Sequence, residues 1–161
     1  MTIRTYIGLG SNLGDSQQIL SEAVAKLAAL GVVKVSQLYQ SPPMGPQDQP
    51  NYLNAVVQLD TALEPLALLD QLQQFEQDAG RVRLRTWGER TLDLDLLIYG
   101  QQQIQNERLT VPHVGIIERD FVVIPLLDLD AEMQLKGQVL KSLPILEHPT
   151  VTVLDNEDWA H

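Results

Sequence analysis

No cysteine occurs in the 161 residues. Disulfides, thiolate metal ligands and catalytic thiols are therefore excluded, and a cytoplasmic location is the default expectation. No apolar run approaches the ~20 residues of a membrane helix, so no membrane partner is expected. Met1-Thr2-Ile3-Arg4 leads into a strand pattern and lacks the apolar region and cleavage site of a signal peptide. Positive charge is scarce: 11 Lys and Arg stand against 21 Asp and Glu, a net charge of −10. Non-specific nucleic-acid binding needs a basic surface, so no nucleic acid is expected. No Gly-Lys-Ser/Thr is present, hence no P-loop, and the glycine-rich stretch Gly8 to Gly14 carries Leu13 where a dinucleotide fingerprint needs its third glycine. It reads as a strand-to-helix turn. His113 has no second histidine at a metal spacing, which rejects zinc. There is no internal repeat.

What is present describes one domain, residues 1–161, with 44% hydrophobic and 20% charged residues. Residues 3–9 read as a strand, and 16–30 as an amphipathic helix begun by Asp15 or Ser16 and closed by Gly31 as a C-cap. A second strand is expected at 32–39, a stiff loop at 41–46 with its three prolines, and a third strand at 52–60. Pro65 opens a helix to about 78, ended by Gly80. An Arg-rich loop at 81–90 leads into a strand at 92–99, then a short hairpin or loop at 100–112. A helix is expected near 117–127, kinked or ended by Pro125, and the tail from 128 is weakly patterned. The order β-α-β-β-α-β is that of an α/β (α+β) ferredoxin-like sandwich, with a mostly antiparallel sheet and C-terminal additions.

The strongest chemical signal is Arg90-Thr91-Leu92-Asp93-Leu94-Asp95-Leu96-Leu97-Ile98. On a strand, Asp93 and Asp95 share a face, roughly 6.5–7 Å apart at Cα, and Leu92, Leu94, Leu96 and Ile98 take the other. Paired carboxylates repel each other and resist desolvation, so a cation should compensate them. Arg90 is one candidate and divalent metal the other, since Mg²⁺ sites often use one or two carboxylates plus substrate phosphates. A solvated edge strand is the plain alternative. The surrounding charge favours a site: all four Lys lie outside residues 81–119, whereas six of the seven Arg (Arg81, Arg83, Arg85, Arg90, Arg108, Arg119) lie inside. Arg presents a planar fork suited to phosphate. Tyr52 and Asn54 share a strand face, an aromatic beside a carboxamide, which suits a flat heterocycle but equally fits a boundary Tyr and a turn Asn. His113 could donate to a phosphate, act as an acid or cap a loop. Trp87 is a loop anchor or a lid, with Gly80 and Gly88 as hinges.

These residues fall into blocks that resemble one family. Gly-Ser-Asn-Leu at 10–13, Ser-Pro-Pro-Met-Gly-Pro-Gln-Asp-Gln-Pro at 41–50, Tyr-Leu-Asn at 52–54, Gly-Arg-Val-Arg at 80–83, Trp-Gly-Glu-Arg-Thr-Leu-Asp-Leu-Asp at 87–95 and Arg-Leu-Thr-Val-Pro-His at 108–113 occur in order. The chain thereby resembles the 6-hydroxymethyl-7,8-dihydropterin pyrophosphokinases from residue 6 to about 127. The resemblance implies a ferredoxin-like fold and diphosphoryl transfer from ATP to the pterin hydroxymethyl oxygen, with AMP released. It implies two Mg²⁺ ions held by Asp93 and Asp95, with Arg81, Arg90 and His113 as further catalytic residues. Gln73, Glu76, Arg83, Leu96, Arg108, Thr110 and Arg119 match positions on the ATP side. Ser41, Pro42, Met44, Tyr52, Asn54, Trp87 and Phe121 match the pterin side. ATP and the pterin are the implied partners, and a monomer is expected. Val114 departs from the aromatic frequent in the family, and the loop Leu84-Arg85-Thr86 is one residue short.

Overall fold

The computed structural model describes residues 1–12, 15–42, 50–79, 91–154 and 159–160. Ile7 and Leu9 on strand β1 (Ile3–Ser11) face one side of the sheet and Tyr6 faces the other, the period of two expected of a central strand. Helix α1 (Ser16–Ala28) starts at Asp15, whose carboxylate accepts the Gln18 amide at 3.3 Å. Its apolar stripe Leu20, Ala23, Val24 and Leu27 is buried on the Ile7 side. Strands β2 (Gly31–Val35) and β3 (Tyr39–Ser41) both pair with β4 (Tyr52–Thr61). Helix α2 (Pro65–Asp78) and strand β5 (Asp93–Tyr99) complete the split unit. The main path runs β3-β4-β1-β5, with β2 also on β4, and every pairing is antiparallel. That is the expected ferredoxin-like sandwich, with α1 and α2 on one face. Among the described residues no helix is long and apolar enough to cross a membrane.

The remaining elements are additions. A hairpin of β6 (Ile104–Gln105) and β7 (Thr110–Val111) follows β5. Helix α3 (Asp120–Leu129) covers the second face, packing Val122, Val123, Leu126 and Leu129 on Tyr6, Val56, Leu97 and Ile98. A small hairpin, β8 (Gln134–Leu135) and β9 (Gln138–Val139), precedes β10 (Thr152–Val153), which pairs with β3.

Four expectations are corrected. The strand expected at 32–39 is two, because Val35 pairs with Val57 while Tyr39 pairs with Asn54, so one extra residue bulges out. Ser36 satisfies the break: its amide donates to the Val56 carbonyl and its hydroxyl accepts the Val56 amide, both at 2.9 Å. Gly31 is not a helix cap. It opens β2, where a Cβ would lie 2.0 Å from the Asp60 carbonyl oxygen, so close backbone approach demands glycine. Ile98 does not share a face with Leu92, Leu94 and Leu96. The register slips after Tyr6, which pairs with Ile98, to Ile7, which pairs with Leu96, and Leu97 and Ile98 both join the α3-side core. Pro125 does not end its helix: α3 runs on to Leu129, held by its buried apolar face despite the lost backbone donor. The break lies instead before Asp120, where Arg119 is extended after a 3-10 turn, Ile116–Glu118. The tail, unpatterned in sequence, is tied down by β10 and by Trp159, buried with its Nε1 donating to the Ser36 carbonyl at 3.0 Å. Gly14, Gly80 and the loop 81–90 lie outside the described residues.

Two predictions follow from this packing. Gly31→Ala forces a Cβ into backbone rather than into a movable side chain, and should cost about 1–3 kcal/mol or more in urea unfolding. An unchanged midpoint would contradict the close approach. The Tyr39 hydroxyl donates to Asp128, and burial, then that bond and the Asp128 charge, raise its pKa well above the ordinary 10.0. Burial raises Tyr6 and Tyr99 likewise. A raised folded pKa means stability is fully present below about pH 10 and falls as the unfolded chain begins to release its protons. Unfolding free energy should therefore decline above pH 10 in wild type and less steeply in Tyr39→Phe, which starts lower by about 1–2 kcal/mol at neutral pH. Parallel curves would remove Tyr39 from the explanation.

Candidate active site

The open half of the α3 face is a trough, and its floor is glycine. On β1, Gly10 stands between Asn54 on β4 and Asp93 on β5, and Gly8 between Val56 and Asp95. All of these point to the face away from α1 and α2. With strands about 4.8 Å apart, Asn54 and Asp93 stand roughly 10 Å apart across a row with no side chain between them. A Cβ on Gly10 would come 3.7 Å from Asn54 Oδ1 and 3.8 Å from the Tyr52 ring. It would fill the trough without any clash in the fold. One expectation is thus revised: Gly8 and Gly10 belong to strand β1, which runs to Ser11. Glycine at i and i+2 inside a strand was the available signal, because it clears one face.

Asp93 is half-buried and Asp95 exposed, side by side as expected. The opposite wall is the start of α3: Arg119, Phe121 and Val122 line the same cleft as Tyr52, Asp93, Asp95 and His113. The Arg119 guanidinium lies 6.0 Å from the Phe121 ring centroid, a cation–π contact. Gly115, at φ +83°, leaves space for that guanidinium, whose Nε is 3.5 Å from where a Cβ would be. His113 is fixed by its amide, which donates to the Leu97 carbonyl at 2.8 Å, at the β5 irregularity. Its Nδ1 lies against the Val114 carbonyl, which can only accept, so Nδ1 carries the proton and Nε2 is left for chemistry.

Asn54 is buried, and its Nδ2 donates to Ser41 Oγ at 2.7 Å. This ties Asn54 on β4 to the end of β3 and leaves Oδ1 beside the glycine floor. Pro42 is exposed next to Ser41. Glu76 is buried in α2, and its Oε2 accepts the Leu94 amide at 2.9 Å. It grips the strand at the residue between the two aspartates. A second group lies across α2 and the β6–β7 hairpin. Arg108 bonds Asp70 and the Gln73 carboxamide there, with half-buried Thr110 on β7. Leu96 is turned away: its side chain is buried in the helix-side core, so a ligand could meet only its main chain. Arg81, Arg83, Arg90, Met44 and Trp87 lie outside the described residues.

Could this face hold metal? Asp93 and Asp95 offer hard oxygen donors on one partly hydrated face, and among the described residues no group of three or more His, Cys, Asp or Glu forms a cage. Two carboxylates without a full protein cage fit Mg²⁺ that completes its shell with water and phosphate, and do not fit structural zinc.

An α/β sandwich with paired carboxylates facing Arg, His and an aromatic-walled cleft is the arrangement of a protein that handles phosphate beside a flat ring. Comparison with known proteins narrows the class. The family model for 7,8-dihydro-6-hydroxymethylpterin-pyrophosphokinase matches residues 6–131. A Haemophilus influenzae protein named 2-amino-4-hydroxy-6-hydroxymethyldihydropteridine pyrophosphokinase is 49% identical over 145 residues, covering 88% of this chain and 91% of its own. The protein of that name from Pseudomonas aeruginosa is 46% identical over 138 residues, 84% of this chain and 85% of its own. The fold matches a crystal structure of Plasmodium falciparum HPPK-DHPS with TM-score 0.72 at 15% identity, over 89% of this chain. The chain spans only 43% of that larger protein. This chain belongs to the 7,8-dihydro-6-hydroxymethylpterin-pyrophosphokinase family.

Glu76→Leu should leave the Leu94 amide without its carboxylate and cost about 1–3 kcal/mol in chemical denaturation, with Glu76→Gln retaining much of the difference. Equal stability of the Leu variant and wild type would show that Glu76 does not hold β5.

Proposed function

We propose that this chain transfers diphosphate from ATP to the hydroxymethyl oxygen of 6-hydroxymethyl-7,8-dihydropterin, releasing AMP, as a step of folate biosynthesis in the cytoplasm. The observation that carries the reading is the row Asn54–Gly10–Asp93. It places a carboxamide that can read a heterocycle edge about one ring-and-substituent length from a carboxylate pair, over a floor cleared of side chains. Family membership gives the reaction class.

The residues divide the work. Tyr52 and Phe121 flank the pterin ring, and Asn54 Oδ1 and its remaining N–H pair with the polar edge. Ser41, Pro42, Met44 and Trp87 complete that side. Gln73, Glu76, Arg83, Leu96, Arg108 and Thr110 serve the nucleotide side. Asp93 and Asp95 would hold two Mg²⁺ ions, which supply charge neutralisation and orientation of the triphosphate. The pterin hydroxymethyl oxygen forms a bond to the β-phosphorus as its proton is released to solvent, and the bond from that phosphorus to the α–β bridging oxygen breaks, leaving AMP. Arg81, Arg90 and Arg119, with His113 when its Nε2 is also protonated, stabilise the charge that builds on the transferring group. Such transfer depends on positioning and electrostatics more than on covalent help. The chain is taken to act as a monomer.

AMP release from ATP and the pterin tests the reading. Asp93→Ala and Asp95→Ala should each lower kcat by about a hundredfold or more, the scale of losing a charge-stabilising group, with circular dichroism unchanged. Chelation should stop wild-type turnover and added Mg²⁺ restore it. Turnover within about tenfold of wild type in both variants would refute the metal assignment.

A further inference from the structure

We infer that Thr150, on the C-terminal tail, is a positioning residue that sets the pterin-side wall through Asp120. The inference rests on the proposed pterin site.

Asp120 sits between Arg119 and Phe121, both of which line the cleft, yet its own side chain is buried at 6% exposure. A buried carboxylate requires donors. Thr150 supplies two: its backbone amide donates to Asp120 Oδ2, and its hydroxyl lies 3.0 and 2.8 Å from Oδ1 and Oδ2. The bond is placed where α3 is otherwise weakly secured. Its N-cap is Arg119, extended and without a side-chain cap bond. A helix start lacking a cap frays unless another group holds it. Phe121 is only partly buried against the α3-side core, so its ring depends on the first-turn backbone for its place.

The tail then fixes the other wall. Two residues beyond Thr150, β10 pairs Thr152 with Gln40 and Val153 with Tyr39, and the Leu154 amide donates to the Leu38 carbonyl at 2.8 Å. The next residue of β3, Ser41, accepts the Asn54 carboxamide. A groove lined by Ser41, Pro42, Phe121 and Thr150 lies between the two walls. One short segment, 150–154, therefore spans from the Phe121 side to the Asn54 side. Its length sets the separation of a stacking ring from a hydrogen-bonding edge. Thr150 is not among the residues lining the cleft of Tyr52, Asp93 and Phe121; it acts through Asp120.

Thr150→Val removes the hydroxyl and keeps the amide, while Thr150→Ser restores the hydroxyl. Calorimetry with 6-hydroxymethylpterin, in the presence of a non-hydrolysable ATP analogue, should show about three- to tenfold weaker pterin binding in the Val variant, the scale of one hydrogen bond. The analogue's own affinity should stay within about twofold, and the Ser variant should return to wild type. In steady state the pterin KM should rise with kcat nearly unchanged. Hydrogen exchange of the ligand-free protein should quicken at residues 121–123 in the Val variant alone. Equal losses for both ligands, no pterin effect, or failure of Ser to rescue would overturn the inference. Should wild type bind no pterin, the proposed function falls, and the clamp is then judged by the exchange at 121–123, where equal rates in wild type and Val would overturn it.

Discussion

Everything at the site depends on the pairing of β1 with β4 on one edge and β5 on the other. That pairing fixes which residues stand abreast, and a slip of one residue would invert every side chain. In the observed register the two glycines fall between Asn54 and Asp93 and between Val56 and Asp95. The hydrophobic alternation enforces it. Ile7 and Leu9 must meet Leu20, Leu27 and Leu72 below the sheet, so Gly8 and Gly10 must face the other way. Core packing on one face thus dictates the geometry of the cleft on the other. The irregularity at Leu97 ends the trough on β5, because it brings Leu97 and Ile98 together onto the α3 side and closes the face with apolar packing.

Three carboxylates near β5 illustrate how burial decides use. Asp93 is half-buried and Asp95 exposed, so both keep access to water and their mutual repulsion is screened. Glu76 is buried, and a carboxylate there is tolerable only with donors, one of which is the Leu94 amide. Its grip on the residue between the aspartates makes a structural acid serve the exposed pair. Glu76 matches a nucleotide-side position by resemblance, and its burial indicates that any such service runs through the strand as well. Arg108 shows the opposite case. It is exposed and paired with Asp70, an arrangement that costs little to exchange for a phosphate partner.

The elements with strong period were legible from sequence. Pro65–Asp78 and Tyr52–Thr61 fall where the pattern puts them, because proline marks a helix start and alternation marks a half-buried strand. The aspartate pair was legible for the same reason: period two places them together whatever the fold. Contacts between distant segments were not. Gly31 looks like a cap from its position after a helix, and only the approach of Asp60, 29 positions on, shows otherwise. The bulge at Ser36 arises from the count of residues on a partner strand. The Leu97 slip is hidden in a run of apolar residues that reads equally well on either face. Trp159 and Thr150 lie in a tail without periodicity, and their partners, Ser36 and Asp120, are remote in sequence. Among the candidate site residues, the family blocks pointed to the aspartates, His113, Tyr52 and Asn54, and the wider resemblance to Phe121, while the glycine floor needed the register.

The two faces of the sheet therefore carry different burdens. The α1–α2 face is a continuous apolar core, where a lost methylene leaves a cavity and costs stability. The second face is apolar only beneath α3 and opens toward Tyr52 and the aspartates. An open trough cannot hold its own walls by packing alone, so the walls must be held from behind. Each has its tie: Glu76 behind the aspartate strand, Ser41 behind Asn54, the Leu97 carbonyl behind His113, and Thr150 behind Phe121. All four are hydrogen bonds. Such bonds fix direction more sharply than apolar contact does, and direction is what a reaction governed by positioning requires.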